Sequence, residues 1–357
     1  MNEPITSQPV VVLTGAGASK FLGKATTFDV YDSKDFGRIL RGNPLNFLNA
    51  LREAMHKEAP EDPIDLEALL DKAEELNESF DKIENTPPYA NQLGQASNVR
   101  KQLEEATELV KDFLVEYYSD IDAAQATRVY GALFDGLVAI AGNRRGDPVV
   151  PIFTLNYDEA VERASEGLSQ YRLVDGFSGG YTPLWDPDLF ERVDALSSAE
   201  VPITLFKLHG SVSWTRATGT ENVERTIQSQ RRRQGREHVL LYPTTRAKNI
   251  EAEPFATAYN YLKAALRNCS VAVFIGTSFR DKELIEVIRS RLDERGPPFT
   301  LIPVSPEANA SMLAARIGYP ENHISPFKGK FDESQLEGLL QHIKQNLDNA
   351  PPKKGVG

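Results

Sequence analysis

The sequence predicts an α/β fold: a parallel sheet with helices on both faces and a large helical insertion. Three observations carry this expectation. Short β-branched apolar runs, each closed by glycine or a polar turn, recur along the chain. Stretches with apolar residues at helical spacing separate several of these runs. One long interval, from about residue 25 to 147, reads as helical, and within it Leu66 to Ile140 carries no strand signal.

The first run is Pro9 to Leu13, with Val10, Val11 and Val12, and it leads into Thr14-Gly15-Ala16-Gly17-Ala18-Ser19. A continuous apolar run of this length is the pattern of a strand buried on both faces. Equivalent runs follow at Val149 to Thr154, Ile203 to Leu208, Val239 to Tyr242, Val271 to Gly276 and Phe299 to Val304, so six buried strands are expected. Phe255 to Arg267 places Tyr259, Leu262 and Leu266 at helical spacing, and Asp281 to Arg291 does the same with Leu284, Ile285 and Ile288. Strand and helix in alternation give a parallel sheet covered on both sides. Inside the insertion, Asp65 offers a cap to a helix beginning at Leu66, and Val99 to Tyr118 aligns Leu103, Ala106, Leu109, Val110, Phe113 and Leu114 on one stripe. Asn85-Thr86-Pro87-Pro88 separates the two, because paired prolines cannot continue a helix. The expected organisation is residues 1–24 with 148–330 as one domain, 25–147 as the helical insertion, and 331–357 as a C-terminal helix with a disordered tail after Asn349. Thr218 to Glu237 reads as a polar excursion.

The chain has 357 residues, with 40 Lys and Arg against 51 Asp and Glu, for a formal net charge of −11. At 41% hydrophobic and 25% charged residues it has the composition of a globular protein with a sizeable core. Its acidity argues against direct nucleic-acid binding, because phosphates are repelled unless basic residues are concentrated on one face. Arg231-Arg232-Arg233-Gln234-Gly235-Arg236 is the exception, and such a run is more often a solvated loop or a protein contact. The single cysteine, Cys269, excludes an internal disulfide framework and any zinc site built on two thiolates of this chain. No two of the five histidines lie at ligand spacing, so no metal is expected. No stretch approaches the roughly 18 to 20 apolar residues that span a bilayer. Met1-Asn2-Glu3-Pro4 lacks the basic and apolar parts of a secretory signal, and the expectation is a cytoplasmic protein with no membrane contact.

Four clusters carry the candidate chemistry, each closing a buried run. Thr14-Gly15-Ala16-Gly17-Ala18-Ser19 permits a tight turn that brings backbone amides near a pyrophosphate, and equally suits a turn with no ligand. Thr154-Leu155-Asn156-Tyr157-Asp158 puts Asn156 and Asp158 where open parallel sheets collect ligands, although Asp158 is also a natural helix cap. Lys207-Leu208-His209-Gly210-Ser211 holds His209, whose neutral imidazole accepts a proton near pH 7; a histidine satisfied in the core is the plainer reading. Gly276-Thr277-Ser278-Phe279-Arg280-Asp281 offers small hydroxyls and amides to a ribose or phosphate, with Asp281 readable as a helix cap.

Taken together and in this order, Gly-Ala-Gly-Ala-Ser, Thr-x-Asn-Tyr-Asp, Lys-Leu-His-Gly-Ser-Val-x-Trp and Gly-Thr-Ser-x-x-Asp resemble the sirtuin-like NAD-binding family, over Val10 to Gly23 and roughly Val149 to Glu307. The resemblance implies a Rossmann-like parallel sheet. It implies that Gly15, Ala16, Gly17 and Ser19 line the phosphates and ribose, with Thr154, Asn156 and Asp158 on the nicotinamide-ribose side. Gly276, Thr277 and Ser278 would then hold the adenosine half, and His209 would be the catalytic histidine. Two departures from the family pattern bear on activity. Its deacylases carry a four-cysteine zinc module, which one cysteine cannot form, and they read Thr-Gln-Asn where this chain has Thr154-Leu155-Asn156. The zinc-free members that this chain resembles more closely are bacterial antiphage effectors that destroy NAD. That branch implies NAD as substrate, nicotinamide and ADP-ribose as products, no metal, and His209, Asn156 and Asp158 as catalytic residues. It also implies a homo-oligomer and a partner encoded alongside, such as a HerA-type ATPase or a short Argonaute. A zinc-free protein deacylase, an ADP-ribosyltransferase, or a module that binds NAD or ADP-ribose without turnover are the alternatives.

Overall fold

Apolar runs with no polar face belong in the middle of a sheet covered on both sides, and that is where the structure puts them. The computed structural model describes residues 3–26, 29–34, 36, 42–59, 64–84, 96–141, 149–193, 200–226, 235–242, 250–293 and 299–350. The described strands are β1 (Val10–Thr14), β2 (Val150–Thr154), β3 (Tyr171–Val174), β4 (Phe177–Ser178), β5 (Leu184–Trp185), β6 (Val201–Lys207), β7 (Gly210–Ala217), β8 (Glu224–Arg225), β9 (Arg236–Leu240), β10 (Val271–Ile275) and β11 (Thr300–Val304). The described α-helices are α1 (Glu3–Thr6), α2 (Asn43–Glu58), α3 (Leu66–Glu84), α4 (Ala96–Ser119), α5 (Ala123–Ala141), α6 (Ala160–Glu166), α7 (Asp188–Glu191), α8 (Phe255–Asn268), α9 (Lys282–Asp293), α10 (Ala310–Ile317) and α11 (Leu336–Asp348).

Six strands form one parallel sheet in the order β11-β10-β1-β2-β6-β3. Successive side chains alternate between its faces. Val11, Leu13, Phe153, Phe206 and Phe274 pack with Leu262 and Ala265 of α8 and Leu284 and Ile288 of α9. Val10, Val12, Ile152, Leu205 and Val273 pack with Tyr130, Leu133 and Phe134 of α5 and Leu339 and Ile343 of α11. The expected α/β class, a parallel sheet with helices on both faces, is therefore observed.

One expected strand lies elsewhere. Of Val239 to Tyr242, only Val239 and Leu240 are in a strand, at the end of β9, which pairs antiparallel with β7 in a second sheet of order β4-β5-β8-β7-β9. The chain leaves β6 through only Leu208 and His209 and turns at Gly210, whose φ is +85°, so the next strand starts a new sheet. The sixth strand of the parallel sheet is β3. It was not apparent from the sequence because a short edge strand buries only its two ends, Tyr171 and Val174, and shows no continuous apolar run.

The chain divides into two compact units: Met1–Lys24 with Ile121–Leu240 and Asn249–Gly357, and Ala25–Asp120 with Leu241–Lys248. This differs from an insertion spanning 25–147, because α5 turns Val129, Tyr130, Leu133 and Phe134 onto the parallel sheet. In the second unit, α2, α3 and α4 bury Leu48, Leu69, Leu70, Leu103, Ala106, Val110, Phe113 and Leu114. Asp65 caps α3 as expected, its Oδ1 accepting from the Ala68 amide at 2.9 Å. Asn85-Thr86-Pro87-Pro88, Arg231 to Gln234 and the tail from Pro351 lie outside the described residues.

Candidate active site

Because its strands are parallel, the six-stranded sheet ends all of them along one C-terminal edge. The chain order reverses between β1 and β10, the switch point at which open sheets of this kind leave a crevice. The four clusters leave β10, β1, β2 and β6, which are consecutive neighbours in the sheet. Residues up to about 270 positions apart in the sequence thereby come to one edge.

At the switch point the glycines let two loops touch. The Gly15 amide donates to the Ile275 carbonyl at 2.8 Å and the Gly17 amide to the Gly276 carbonyl at 2.9 Å. A Cβ on Gly17 would fall 2.7 Å from Gly276 Cα, and one on Gly276, where φ is +64°, would fall 2.2 Å from the Ala18 nitrogen. These glycines thus serve close backbone approach, and two of their amides are engaged within the protein. Thr277 Oγ1 is buried beside Gly15 and has no hydrogen-bond partner among the described residues. The next residues are constrained: Phe279 is buried at φ +53°, uncommon for a non-glycine, and Arg316 Nη1 donates to the Ser278 carbonyl at 2.9 Å.

Between β1 and β2 the polar side chains join into one network. Thr14 Oγ1 donates to Thr154 Oγ1 at 2.8 Å, and Thr154 Oγ1 accepts from the Asn156 amide at 3.0 Å. Ser19 Oγ accepts from Asn156 Nδ2 at 3.0 Å and donates to Asp158 Oδ2 at 2.6 Å. Asp158 Oδ1 accepts from the Ala160 amide at 3.0 Å, at the start of α6. The structure therefore brings Ser19, Asn156 and Asp158 together, with both Asp158 oxygens bonded inside the protein.

Lys207, the last residue of β6, is buried and turns inward. Its ammonium donates to the Asp158 carbonyl and to Glu162 Oε1, the latter at 3.0 Å. Burial pushes the Glu162 carboxyl up to about 7, opposed by the Lys207 charge. A lysine closing an otherwise apolar strand was the sequence signal for this buried pair, since a lysine is seldom fully buried without a partner. His209 lies at the following turn, buried, 6.5 Å from the Tyr157 ring centre to centre. Its Nε2 is 3.0 Å from Asp281 Oδ2. Asp281 Oδ1 also accepts from the Leu284 amide at 2.7 Å, so the residue caps α9 and reaches His209 at once. Among the described residues, no group of three His, Cys, Asp or Glu side chains is placed to hold a metal ion.

Fold and site together define a doubly wound α/β domain with a histidine and a polar network at the C-terminal edge of its parallel sheet. Residues 150–317 match the family model described as SIR2-like domain. That match takes in the loops after β2, β6 and β10. No curated protein matches the chain. Among solved structures it is similar to two Sir2 homologue mutants in complex with ADP-ribose, each with 13% identity, 98% of both chains covered and a TM-score of 0.41. It is also similar to a Sir2 enzyme with 12% identity, covering 96% of this chain and 95% of that one, with a TM-score of 0.40.

Proposed function

We propose that this site hydrolyses the bond between nicotinamide and ribose in NAD, releasing nicotinamide and ADP-ribose. The observation that carries the reading is the placement of His209 and Asn156 on neighbouring strand ends beside the glycine loops of the switch point. Two features support a dinucleotide there. The crevice lies where parallel sheets bind such ligands, and buried Thr277 Oγ1 has a hydrogen bond to give. Ala16, Gly17 and Ser19 would face the phosphates and ribose, and Gly276, Thr277 and Ser278 the adenosine half. Thr154 and Asp158 hold Asn156 and Ser19 in place.

In the reaction, a water oxygen bonds to the anomeric carbon as the carbon–nitrogen bond breaks. The bonding pair goes to the ring nitrogen and leaves nicotinamide neutral. The water gives up a proton, which His209 accepts as general base. Asn156 orients the water or the ribose, which counts because reacting atoms must meet at near-attack distance. No metal enters these steps.

The same reading makes the chain an NAD-depleting antiphage effector that works as an oligomer, switched on by assembly or by a partner such as a HerA-type ATPase or a short Argonaute. An unregulated NAD hydrolase would consume its own cell's NAD, so control is required, and the helical unit of Ala25–Asp120 is where we place it.

The test is incubation of the purified chain, alone and with the protein encoded beside it, with NAD, followed by chromatographic separation of products. Nicotinamide and ADP-ribose are expected, and His209→Ala and Asn156→Ala should each lower turnover by about 10² or more. NAD that binds and stays intact would instead identify a binding module. Nicotinamide released only with an acylated peptide would identify a deacylase.

A further inference from the structure

We infer that Asp281 is the positioning residue of His209: it holds the imidazole in the tautomer that carries its proton on Nε2, so that Nδ1 is the unprotonated nitrogen and the proton acceptor. The inference rests on the hydrolase reading for its kinetic consequence, but its structural content stands apart from it.

An ionised carboxylate can only accept hydrogen bonds, so the 3.0 Å contact between Asp281 Oδ2 and His209 Nε2 requires the proton on Nε2. In a neutral ring the lone pair then sits on Nδ1. The carboxylate is not free to turn, because Oδ1 is held at 2.7 Å by the Leu284 amide at the first turn of α9. Both side chains are nearly enclosed, 9% and 8% exposed, so solvent screens the pair little. A helix cap thereby fixes a carboxylate, and the carboxylate fixes a histidine 72 positions earlier in the chain. Orientation of a base by a buried carboxylate on its other ring nitrogen recurs on unrelated folds and works through tautomer and imidazolium stability.

Two aromatic rings and a lysine engaged elsewhere are among the neighbours of the pair. Tyr157, from the loop after β2, presents its ring to His209. Behind Asp281 lies Tyr259 of α8, whose hydroxyl is pushed far up by burial and by the charges of Asp281 and Glu283, so it stays a neutral phenol. Lys207, on the strand before His209, has its ammonium on Glu162 and the Asp158 carbonyl.

Asp281→Asn tests this without removing the helix cap, since the amide oxygen still accepts from Leu284. Its NH₂ donates to Nε2, which moves the ring proton to Nδ1 and blocks the acceptor. The readout is nitrogen NMR of the full chain labelled at histidine, with His209→Gln to assign the resonance. Wild type should show His209 protonated on Nε2, and Asp281→Asn should show it on Nδ1. Turnover should fall about 10²- to 10⁴-fold. His209 protonated on Nδ1 in the wild type, or a tautomer unchanged by Asp281→Asn, overturns the inference whether or not NAD is hydrolysed. The expected tautomer change in a protein that never cleaves NAD upholds the pairing and removes the hydrolase reading instead.

Discussion

Lys207 and Glu162 are the residues at which burial and charge compete most directly. The ammonium is 2% exposed, and it stays in the core because it has two acceptors, the Glu162 carboxylate and the Asp158 carbonyl. Through that carbonyl the pair steadies the loop that carries Asn156. The Glu162 carboxyl keeps its proton up to about 7 in the folded protein, against 4.5 as the ordinary value. Between those two values the folded state binds more protons than the unfolded one, so this group's stabilising contribution is complete below about 4.5 and is lost as the pH rises through about 7. Glu162→Gln, which does not titrate, should flatten that part of the profile. Urea unfolding at about pH 5 and about pH 8 measures it, and an equal slope in both proteins would show that Glu162 titrates normally. The lysine was visible in the sequence as a charge ending an apolar strand. Its partner was not, because the contact with Glu162 exists only once α6 is laid against β6.

Among the elements, the strand-to-helix loops decide the site, and they are shaped by contact with each other more than by their own sequences. The Gly15 to Gly17 turn reads in isolation equally as a phosphate loop or a turn with no ligand, and the structure docks it on the Gly276 turn. Gly276→Ala meets two penalties: a left-handed φ of +64° and a Cβ 2.2 Å from the Ala18 nitrogen. Gly23→Ala meets only the first, since φ is +73° and nothing lies within 4 Å of the added atom. We expect Gly23→Ala to cost about 1–2 kcal/mol in urea unfolding, the usual figure for a left-handed non-glycine residue. Gly276→Ala should cost clearly more, because both loops must shift. Equal costs for the two variants would mean that the loops yield easily and do not set the crevice.

For the whole molecule, the division into two units is the main feature. The parallel sheet and its helices form one core, and α2, α3 and α4 form another around Phe113, which stacks on Tyr117 and meets Phe36 edge-on. The entry and exit of the second unit are tied together: the Ala25 amide donates to the Tyr117 hydroxyl at 2.7 Å, and the Tyr118 hydroxyl donates to the Ala25 carbonyl at 3.0 Å. A segment closed on itself with its own core should open as its own cooperative unit. Phe113→Ala, at a cost of about 3–5 kcal/mol, should speed amide hydrogen exchange across 96–119 and leave β1, β2 and β10 unchanged. Equal acceleration in those strands would mean that the chain unfolds as one.

Local pattern by itself determined the class of fold, five of the six parallel strands, the helices α3, α4, α8, α9 and α11, and the positions of the four loop motifs. Apolar periodicity and glycine turns report local structure directly, and at the parallel sheet's central strands nothing overrode them. Tertiary structure decided what periodicity does not encode. It placed β9 in the antiparallel sheet and β3 at the edge of the parallel one, since pairing partners depend on where the chain turns in space. It assigned α5 to the sheet's core by the face that its apolar stripe meets. Above all it joined Ser19 to Asp158 and His209 to Asp281 across long stretches of chain. A carboxylate's role is set by what lies within about 3 Å of its oxygens, and that distance exists only once parallel strands have brought their ends to a common edge.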